Sequence, residues 1–302
     1  MEETSISLPS RWTDASAFEE ALSTGVLPHE ANSPETCFKV VKGCYLMTDA
    51  AVRFLSLCNQ LDYSTKRVLI DFEEGETGAA GYLNRIGFFE CLSRSVEVLP
   101  QRPAPITQYQ GRNPGVVEIA RIDRKHRDNA LPARLTGAIS RACGKRKDVK
   151  ALVESAWLIL AELIDNVFSH SETLLNGFAA LQVYPRGNCL KVAVSDSGLG
   201  LLQTLRPTLN SQFPRLARLS DTDLLVEVFQ RGVSRHGGNR GCGLKGCADK
   251  AIKFRAKLDV RLPNARVLLV PGDGGYRADT AYCYTGLPLL WGTHICFTIP
   301  LD

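Results

Sequence analysis

Residues 149–171 read VKALVESAWLILAELIDNVFSHS, and this stretch decides the fold of the second half of the chain. It contains neither Gly nor Pro, and its apolar residues recur at the three- and four-residue spacing of one helical face. These apolar residues are Leu152, Val153, Ala156, Leu160, Leu163, Ile164 and Val167. The pattern predicts one long helix, Val149–Ser171, that lays an apolar face against a core.

Three polar residues on this predicted helix are spaced by four, namely Glu162, Asn166 and His170. At this spacing a carboxylate, an amide and an imidazole lie on one side of the helix and can face one ligand. The same residues also suit the solvent-facing edge of an amphipathic helix. For the helix alone, both interpretations stay open.

Two later segments pair a predicted strand with small or acidic residues. The predicted strand Leu190–Ser195 leads into Asp196-Ser-Gly198-Leu-Gly200, in which two glycines allow the backbone to approach a ligand closely. Near the end of the chain, Gly292-Thr293 precedes a second predicted strand, His294–Ile299. Each motif is common by itself, but together they favour a ligand site.

A glycine-rich stretch lies between these two segments. Residues 231–246 read RGVSRHGGNRGCGLKG, which predicts a loop feeding a helix that continues through Ala248–Phe254. Such a loop exposes backbone N–H groups, and the helix N-terminus adds favourable electrostatics for an anion. The stretch therefore predicts a phosphate-binding segment.

In order and spacing, these four pieces resemble the motifs of the GHKL superfamily, which includes gyrase, MutL, heat-shock chaperones and histidine kinases. The long helix resembles the N-box, and the Asp-x-Gly-x-Gly motif, the lid with its second glycine box and the late Gly-Thr follow in the family's order. The resemblance covers about residues 116–302. It implies an α/β class and a Bergerat-type ATP-binding fold, a two-layer α/β sandwich in which helices cover a mixed sheet.

The resemblance also implies how ATP and Mg²⁺ would be bound. Asn166 would bind the metal ion through its amide oxygen, which suits a hard cation. Asp196 would accept the exocyclic amine of adenine, and Thr293 would add a hydroxyl to that network. Base, sugar and phosphates would lie along the remaining cofactor-binding residues, which are His170, Gly198, Gly200, Arg240, Gly241, Gly243, Leu244, Lys245 and Gly246.

Glu162 is the catalytic residue that the resemblance implies, because a carboxylate one turn before the metal-binding Asn166 can activate a nucleophile for attack on the γ-phosphate. The leading expectation is a Mg-ATP-binding ATPase that acts as a nucleotide-dependent regulatory switch. Two alternatives stay open. One is a protein serine/threonine kinase similar to the anti-sigma-factor kinases, whose N-box also carries the histidine found here as His170. The other is an ATP-gated interaction module, without hydrolysis, in bacterial signalling or defence.

Two features depart from the family's pattern. Lys245 stands where the second glycine box usually has a glycine, so it either contacts phosphate or crowds it. The lid is long, about Leu201–Asn239, and we expect it to order only around nucleotide or a partner. It carries Arg206, Arg215, Arg218, Arg231 and Arg235, of which we expect one at most to reach the triphosphate.

Residues 1–98 predict a smaller α/β domain, in which residues 1–36 form an irregular lead-in or a short helix around Ala15–Ser23. The blocks that follow alternate in β-α-β-α order. They are an apolar piece, Phe38–Leu46, a helix, Asp49–Leu61, a strand, Arg67–Phe72, and a helix-like run, Gly78–Leu92. This block order resembles STAS-like modules. The proline-rich residues 99–115 predict a linker to the domain at 116–302.

Composition narrows the protein class further. The 36 Lys and Arg against 32 Asp and Glu give a formal charge of +4, too small to require nucleic acid, although basic clusters near residues 121–127 and 145–150 keep it as an unfavoured partner. The ten cysteines form no Cys-x-x-Cys pair and predict reduced, mostly buried thiols. Without a leader or a membrane-spanning run we expect a cytoplasmic protein. Its expected partners are ATP, a protein bound through the N-terminal domain or the lid, and a second copy of the chain.

Overall fold

The computed structural model describes residues 4–25, 27–106, 111–123, 125–170, 173–231, 243–271 and 281–302. These residues form a mixed α/β protein with a four-stranded parallel sheet, a seven-stranded antiparallel sheet and a short two-stranded pair. The predicted α/β class is confirmed.

The parallel sheet belongs to the first hundred residues and has the strand order β1-β3-β5-β6. In chain order, the elements here are β1 (Thr4–Leu8), β2 (Trp12–Thr13), α1 (Ala15–Leu22), β3 (Glu35–Val40), β4 (Tyr45–Leu46), α2 (Thr48–Tyr63), β5 (Arg67–Phe72), α3 (Gly78–Arg85), α4 (Phe88–Cys91) and β6 (Glu97–Leu99). The predicted helix Asp49–Leu61 and strand Arg67–Phe72 are confirmed as α2 and β5.

Two expectations for this half are wrong. The irregular form of residues 1–36 is wrong at its start, because β1 pairs in parallel with β3 and buries Ile6 and Leu8 in alternation with polar residues, whereas the short helix around Ala15–Ser23 is confirmed as α1. The single helix-like run over 78–92 is two helices. Gly87 separates them at φ +79°, a left-handed conformation that ends a helix and that glycine adopts without steric cost.

The proline-rich segment is bound to the parallel-sheet half where the structure describes it. The Arg102 guanidinium donates hydrogen bonds of 2.6–3.3 Å to four backbone carbonyl oxygens around α4 and β6. Asn84 of α3 donates to the Ala104 carbonyl at 2.9 Å. Residues 99–106 therefore follow the surface of this half, and residues 107–110 lie outside the described part.

The remaining chain forms the antiparallel sheet, in the order β12-β11-β10-β13-β9-β8-β7. In chain order, the elements here are β7 (Val116–Ile122), α5 (Leu131–Ala142), α6 (Val149–His170), β8 (Gly177–Tyr184), β9 (Cys189–Ser195), α7 (Leu201–Gln212), α8 (Pro214–Ala217), α9 (Asp221–Arg231), α10 (Gly243–Lys253), β10 (Lys257–Arg261), β11 (Ala265–Leu269), β12 (Ala281–Thr285) and β13 (His294–Pro300). The long helix predicted over 149–171 is confirmed as α6.

The mixed sheet expected for this half is wrong, since every pair of neighbouring strands among the described residues is antiparallel. The connections explain why. Short turns join β8 to β9 and β10 to β11, and a short turn can join only antiparallel neighbours, whereas parallel strands need a long crossover.

The first part of the expected lid is helical. Residues 201–231 form α7, α8 and α9, and they bury Leu209, Leu224 and Leu225 completely in the core. Arg206 is engaged within these helices, where it donates to the Leu219 carbonyl at 3.0 Å and pairs with Asp221 at 2.6 Å. The expectation of a loop is thus wrong for residues 201–231, which pack as helices through their own apolar side chains, and ordering only around nucleotide or a partner stays a prediction. Residues 232–240, with Arg235, lie outside the described residues.

Both faces of the antiparallel sheet are covered. On one face, alternate β9 residues such as Val192 and Val194 pack with α5, α6 and α10. On the other face, Ala193 and its neighbours pack against α2 of the N-terminal half. Thirteen of the sixteen α2 residues are buried, as expected for a helix enclosed between two sheets. The two halves of the chain therefore share one continuous packing arrangement through α2.

The described cysteines carry no disulfide, and most of them are buried, as predicted. Cys242 lies outside the described residues. Within the same residues, no helix has both the length and the apolar composition needed to cross a bilayer.

Candidate functional site

Asp196 and Thr293 are brought together at one end of the antiparallel sheet. Asp196 follows β9 and Thr293 precedes β13, and these two strands are neighbours. The Asp196 N–H donates to the Thr293 carbonyl at 3.0 Å, and the Thr293 N–H donates to Asp196 Oδ2 at 3.0 Å. Asp196 Oδ1 accepts from the Gly198 N–H at 2.8 Å. The two motifs are distant in sequence and form one hydrogen-bonded cluster in the fold.

Two glycines make this close approach of the loops sterically feasible. Gly292 has φ +89°, and a Cβ at this position would lie 2.2 Å from the Asp196 carbonyl oxygen. Gly200 has φ +84°, and its Cβ would lie 3.0 Å from the Gly292 carbonyl oxygen. Both positions have a positive φ that favours glycine; the neighbour of Gly292 is too close for any Cβ, and that of Gly200 would have to shift by a few tenths of an ångström. Glycine is therefore favoured there by backbone packing, whether or not a ligand binds.

The Asp196 carboxylate is largely removed from water. This desolvation raises its pKa from the ordinary 3.8 to about 6, and the hydrogen bonds from Gly198 and Thr293 offset only part of the increase. Each carboxylate oxygen accepts one backbone N–H, and the Thr293 hydroxyl occupies a third acceptor position, which leaves one lone pair. The group can thus accept another hydrogen bond from a ligand donor, such as an exocyclic amine.

The Thr293 hydroxyl is already part of the protein's own network. Its oxygen accepts the N–H of Leu201 at the start of α7, at 2.8 Å, and its hydroxyl is hydrogen-bonded to Asp196. Thr293 thereby connects the aspartate to the first turn of the helical segment 201–231.

On α6, Glu162 is exposed and Asn166 is half-buried. Partial desolvation raises the pKa of the Glu162 carboxyl; the charge of Lys250 opposes this shift and that of Asp165 adds to it. A raised pKa makes this carboxylate a stronger base than an ordinary one, as a group that accepts a proton from a nucleophile requires. His170 lies in the last turn of α6, and its side chain is outside the described part.

The C-terminal part of α6 lies close to the end of β9. A Cβ on Gly177 would be 2.3 Å from Val167 Cγ1 and 2.7 Å from the Ser195 carbonyl oxygen, so both groups contact the same point. Asn166 and Asp196 each neighbour one of these residues in sequence. The N-box-like segment and the Asp-x-Gly-x-Gly segment are therefore at the same end of the sheet.

The second glycine box differs from its prediction in one respect. Gly243 begins α10, so Lys245 and Gly246 lie in the first helical turn and not in a loop, with Lys245 half-buried. Space is open around Gly246, where a Cβ would meet no atom within 4 Å. Arg240 and Gly241 lie outside the described residues, and Gly243 and Leu244 are described by their backbone only. The first-turn N–H groups of α10 provide the donors that a helix N-terminus offers to an anion.

Arg146, one residue of the basic cluster at 145–150, has a structural role. Arg146 is buried, pairs with Asp148 at 2.8 Å and donates to the Pro300 carbonyl at 2.8 Å. Its guanidinium therefore stabilises the position of the end of β13 and is not exposed to solvent. Lys147 beside it is exposed.

The sequence analysis missed a polar stripe on α2, formed by Asp49, Arg53, Ser56 and Gln60. All four side chains face the antiparallel sheet. Lys191 Nζ donates to Asp49 at 2.5 Å, Arg53 pairs with Asp259 at 3.0 Å, Ser56 contacts Ser195 at 2.9 Å, and Gln60 donates to Ser197 at 3.0 Å. The signal was present in the sequence as four polar residues at helical spacing within an otherwise apolar helix.

The donor set fits the ligands that the motifs imply. Asp196 offers the acceptor that adenine would need, and the Asn166 amide offers the oxygen that a hard cation would need. Among the described residues, no group of three or more His, Cys, Asp or Glu side chains could hold a metal ion.

Comparison with known proteins adds no family assignment. No protein-family model matches the chain, and no curated protein is significantly similar to it.

Proposed function

We propose that this protein is a Mg-ATP-binding ATPase of the GHKL type that acts as a nucleotide-dependent regulatory switch. The observation that carries the proposal is the cluster in which Thr293 N–H donates to the desolvated Asp196 carboxylate while Gly200 and Gly292 keep the surrounding backbone free of side chains. The same proposal includes a Bergerat-type arrangement of the antiparallel sheet and its helices. It also includes a STAS-like character of the N-terminal half and a cytoplasmic location.

The residues of the four motifs have distinct proposed roles. Asp196 and Thr293 would bind adenine, Asn166 would bind the magnesium ion, and the first turn of α10 with Lys245 would bind phosphate. Glu162 would orient and deprotonate the nucleophile. Its exposure and its raised pKa support this role, since it can reach water or a hydroxyl group from solvent.

Calorimetric titration with a non-hydrolysable ATP analogue and Mg²⁺ tests the binding site. We expect wild type to bind and Asp196→Asn to bind at least about tenfold more weakly, because hydrogen bonds to charged groups contribute about 1.5–3 kcal/mol. Asn166→Ala should lose the magnesium dependence of binding. Absence of binding by wild type at millimolar nucleotide would overturn the proposal.

Phosphate release then tests hydrolysis. Glu162→Gln should abolish release and retain analogue binding, whereas Glu154→Gln, an exposed carboxylate earlier on the same helix, should leave both unchanged. If Glu162→Gln hydrolyses ATP at the wild-type rate, the carboxylate has no catalytic role.

The exposure of Glu162 also favours a second function, transfer of the phosphoryl group to a protein serine or threonine. Labelled ATP incubated with a partner protein distinguishes the two, since a kinase labels the partner in a reaction that Glu162→Gln abolishes. Binding without product under every condition would instead support the ATP-gated interaction module.

A further inference from the structure

The Gln60 side chain of α2 connects the N-terminal half of the chain to both loops of the proposed nucleotide site. Gln60 Nε2 donates to Ser197 Oγ at 3.0 Å and to the Trp291 carbonyl at 3.0 Å, and Gln60 Oε1 accepts from the Trp291 N–H at 2.8 Å. Ser197 directly follows Asp196, and Trp291 directly precedes Gly292. A single buried amide thus binds both loops of the Asp196 cluster.

A second set of contacts supports the same connection. His294 Nε2 contacts the Trp291 carbonyl at 3.0 Å, and because a carbonyl only accepts, this nitrogen carries the hydrogen. His294 Nδ1 is then the acceptor of the Ser195 hydroxyl, and Ser195 contacts Ser56 of α2 at 2.9 Å. The end of β9 before one loop and the start of β13 after the other are therefore connected to the same face of α2.

The indole of Trp291 is also enclosed by N-terminal residues. His29 stacks on it with ring centroids 4.9 Å apart, and Tyr63 at the end of α2 meets it edge-on at 6.4 Å. The backbone and the ring of Trp291 are thus both positioned by the N-terminal half.

We propose that Gln60 is a positioning residue of the nucleotide site, which fixes the Asp196 and Thr293 loops relative to each other and makes adenine affinity depend on the N-terminal half. This rests on the proposed function. Its physical basis is that the Asp196 carboxylate can meet an adenine amine only if both loops keep their relative position, and a displacement of a few tenths of an ångström already weakens a hydrogen bond. The N-terminal half is then a structural part of the site and provides a route by which a partner could change nucleotide affinity.

The test compares Gln60→Met with Asn59→Leu in the full chain. Asn59 is the adjacent α2 residue and also makes one donor and one acceptor contact, with the Cys91 carbonyl at 3.2 Å and the Ser93 N–H at 2.8 Å, but both lie within the N-terminal half. Gln60→Met should raise the Kd of the ATP analogue by about tenfold, the size expected for losing one or two positioning hydrogen bonds. Asn59→Leu should leave this Kd unchanged.

Two further readouts distinguish positioning from a general loss of stability. Purine riboside triphosphate lacks the exocyclic amine, so its Kd should change less in Gln60→Met than the Kd of the ATP analogue. Amide hydrogen exchange of residues 290–294 and 196–201 in nucleotide-free protein should accelerate in Gln60→Met and not in Asn59→Leu. Ser197→Ala removes only one of the contacts, so it should raise the Kd of the ATP analogue by less than Gln60→Met does. Combined with Gln60→Met, it should raise this Kd little further.

The positioning role is overturned if Gln60→Met binds the ATP analogue as tightly as wild type does. It is also overturned if the variant loses equal affinity for both nucleotides. If wild type itself binds no adenine nucleotide, the proposed function fails and the positioning role fails with it. The two failures are distinguished by the wild-type titration.

Discussion

Gly292 has no room for a side chain because a Cβ there would lie 2.2 Å from the carbonyl oxygen of Asp196 and 2.6 Å from its Oδ1. The residue that the sequence pattern associates with nucleotide binding is thus held in place by backbone packing between two loops. Substitutions in this cluster consequently affect both stability and the proposed binding site.

Gly292→Ala should destabilise the protein by about 2 kcal/mol or more, because the new methyl group meets backbone atoms and φ +89° is unfavourable for alanine. Gly246→Ala is the matched control. This position lies inside α10 with open space around it, so alanine should stabilise by up to about 1 kcal/mol through helix propensity. Urea unfolding measures both. Equal stability of Gly292→Ala and wild type would contradict the packing at this site.

Asp196 should make stability depend on pH. Its pKa of about 6 in the folded protein exceeds the ordinary 3.8, so between these values the folded state holds a proton that the unfolded state has lost. The free energy of unfolding should therefore fall as pH rises from about 4 to 6.5, by up to about 3 kcal/mol from this group, and change no further above. Asp196→Asn lacks this contribution. Urea unfolding across the pH range should show the variant gaining stability relative to wild type over this window; parallel curves would show that the carboxyl is not desolvated.

Arg53→Met should cost about 3 kcal/mol or more, because the arginine is fully buried between Glu19 and Asp259 and its loss leaves two buried carboxylates with fewer partners. Burial alone would raise the pKa of Asp259, but Arg53 and Arg266 outweigh it and lower that pKa to about 2. Arg67→Met is the control. Arg67 also pairs with two carboxylates but is exposed, so its loss should destabilise the protein far less than the loss of Arg53. Similar unfolding free energies for the two variants would contradict the buried network.

Leu225→Ala should destabilise the nucleotide-free protein by about 2–5 kcal/mol, since the side chain is fully buried where α9 joins the core. Leu199→Ala, at a half-exposed position before α7, should change stability by less than about 0.5 kcal/mol. Amide exchange within residues 201–231 should be slow without nucleotide. Rapid amide exchange in residues 201–231, together with unchanged stability of Leu225→Ala, would instead support a segment that orders only when nucleotide binds.

Local patterns along the chain were sufficient to predict several elements and the residue types of the site. The apolar periodicity of 149–171 predicted α6, and the apolar runs before Asp196 and after Thr293 predicted β9 and β13, because side-chain periodicity depends only on local geometry. The motif order led to the ATP-site proposal. Strand pairing was harder, since the antiparallel order and the strands β8, β10, β11 and β12 depend on neighbours that are distant in sequence.

The sequence by itself determined the α/β class, the long helix α6 and the glycine and acidic residues available at the site. Only the tertiary structure decided that Asp196 and Thr293 share hydrogen bonds, that residues 201–231 pack as helices, and that α2 lies between the two sheets. The physical reason is the same for all three. Each depends on groups far apart in sequence whose burial and hydrogen bonding become favourable only when the chain has brought them together, and no local pattern specifies that pairing.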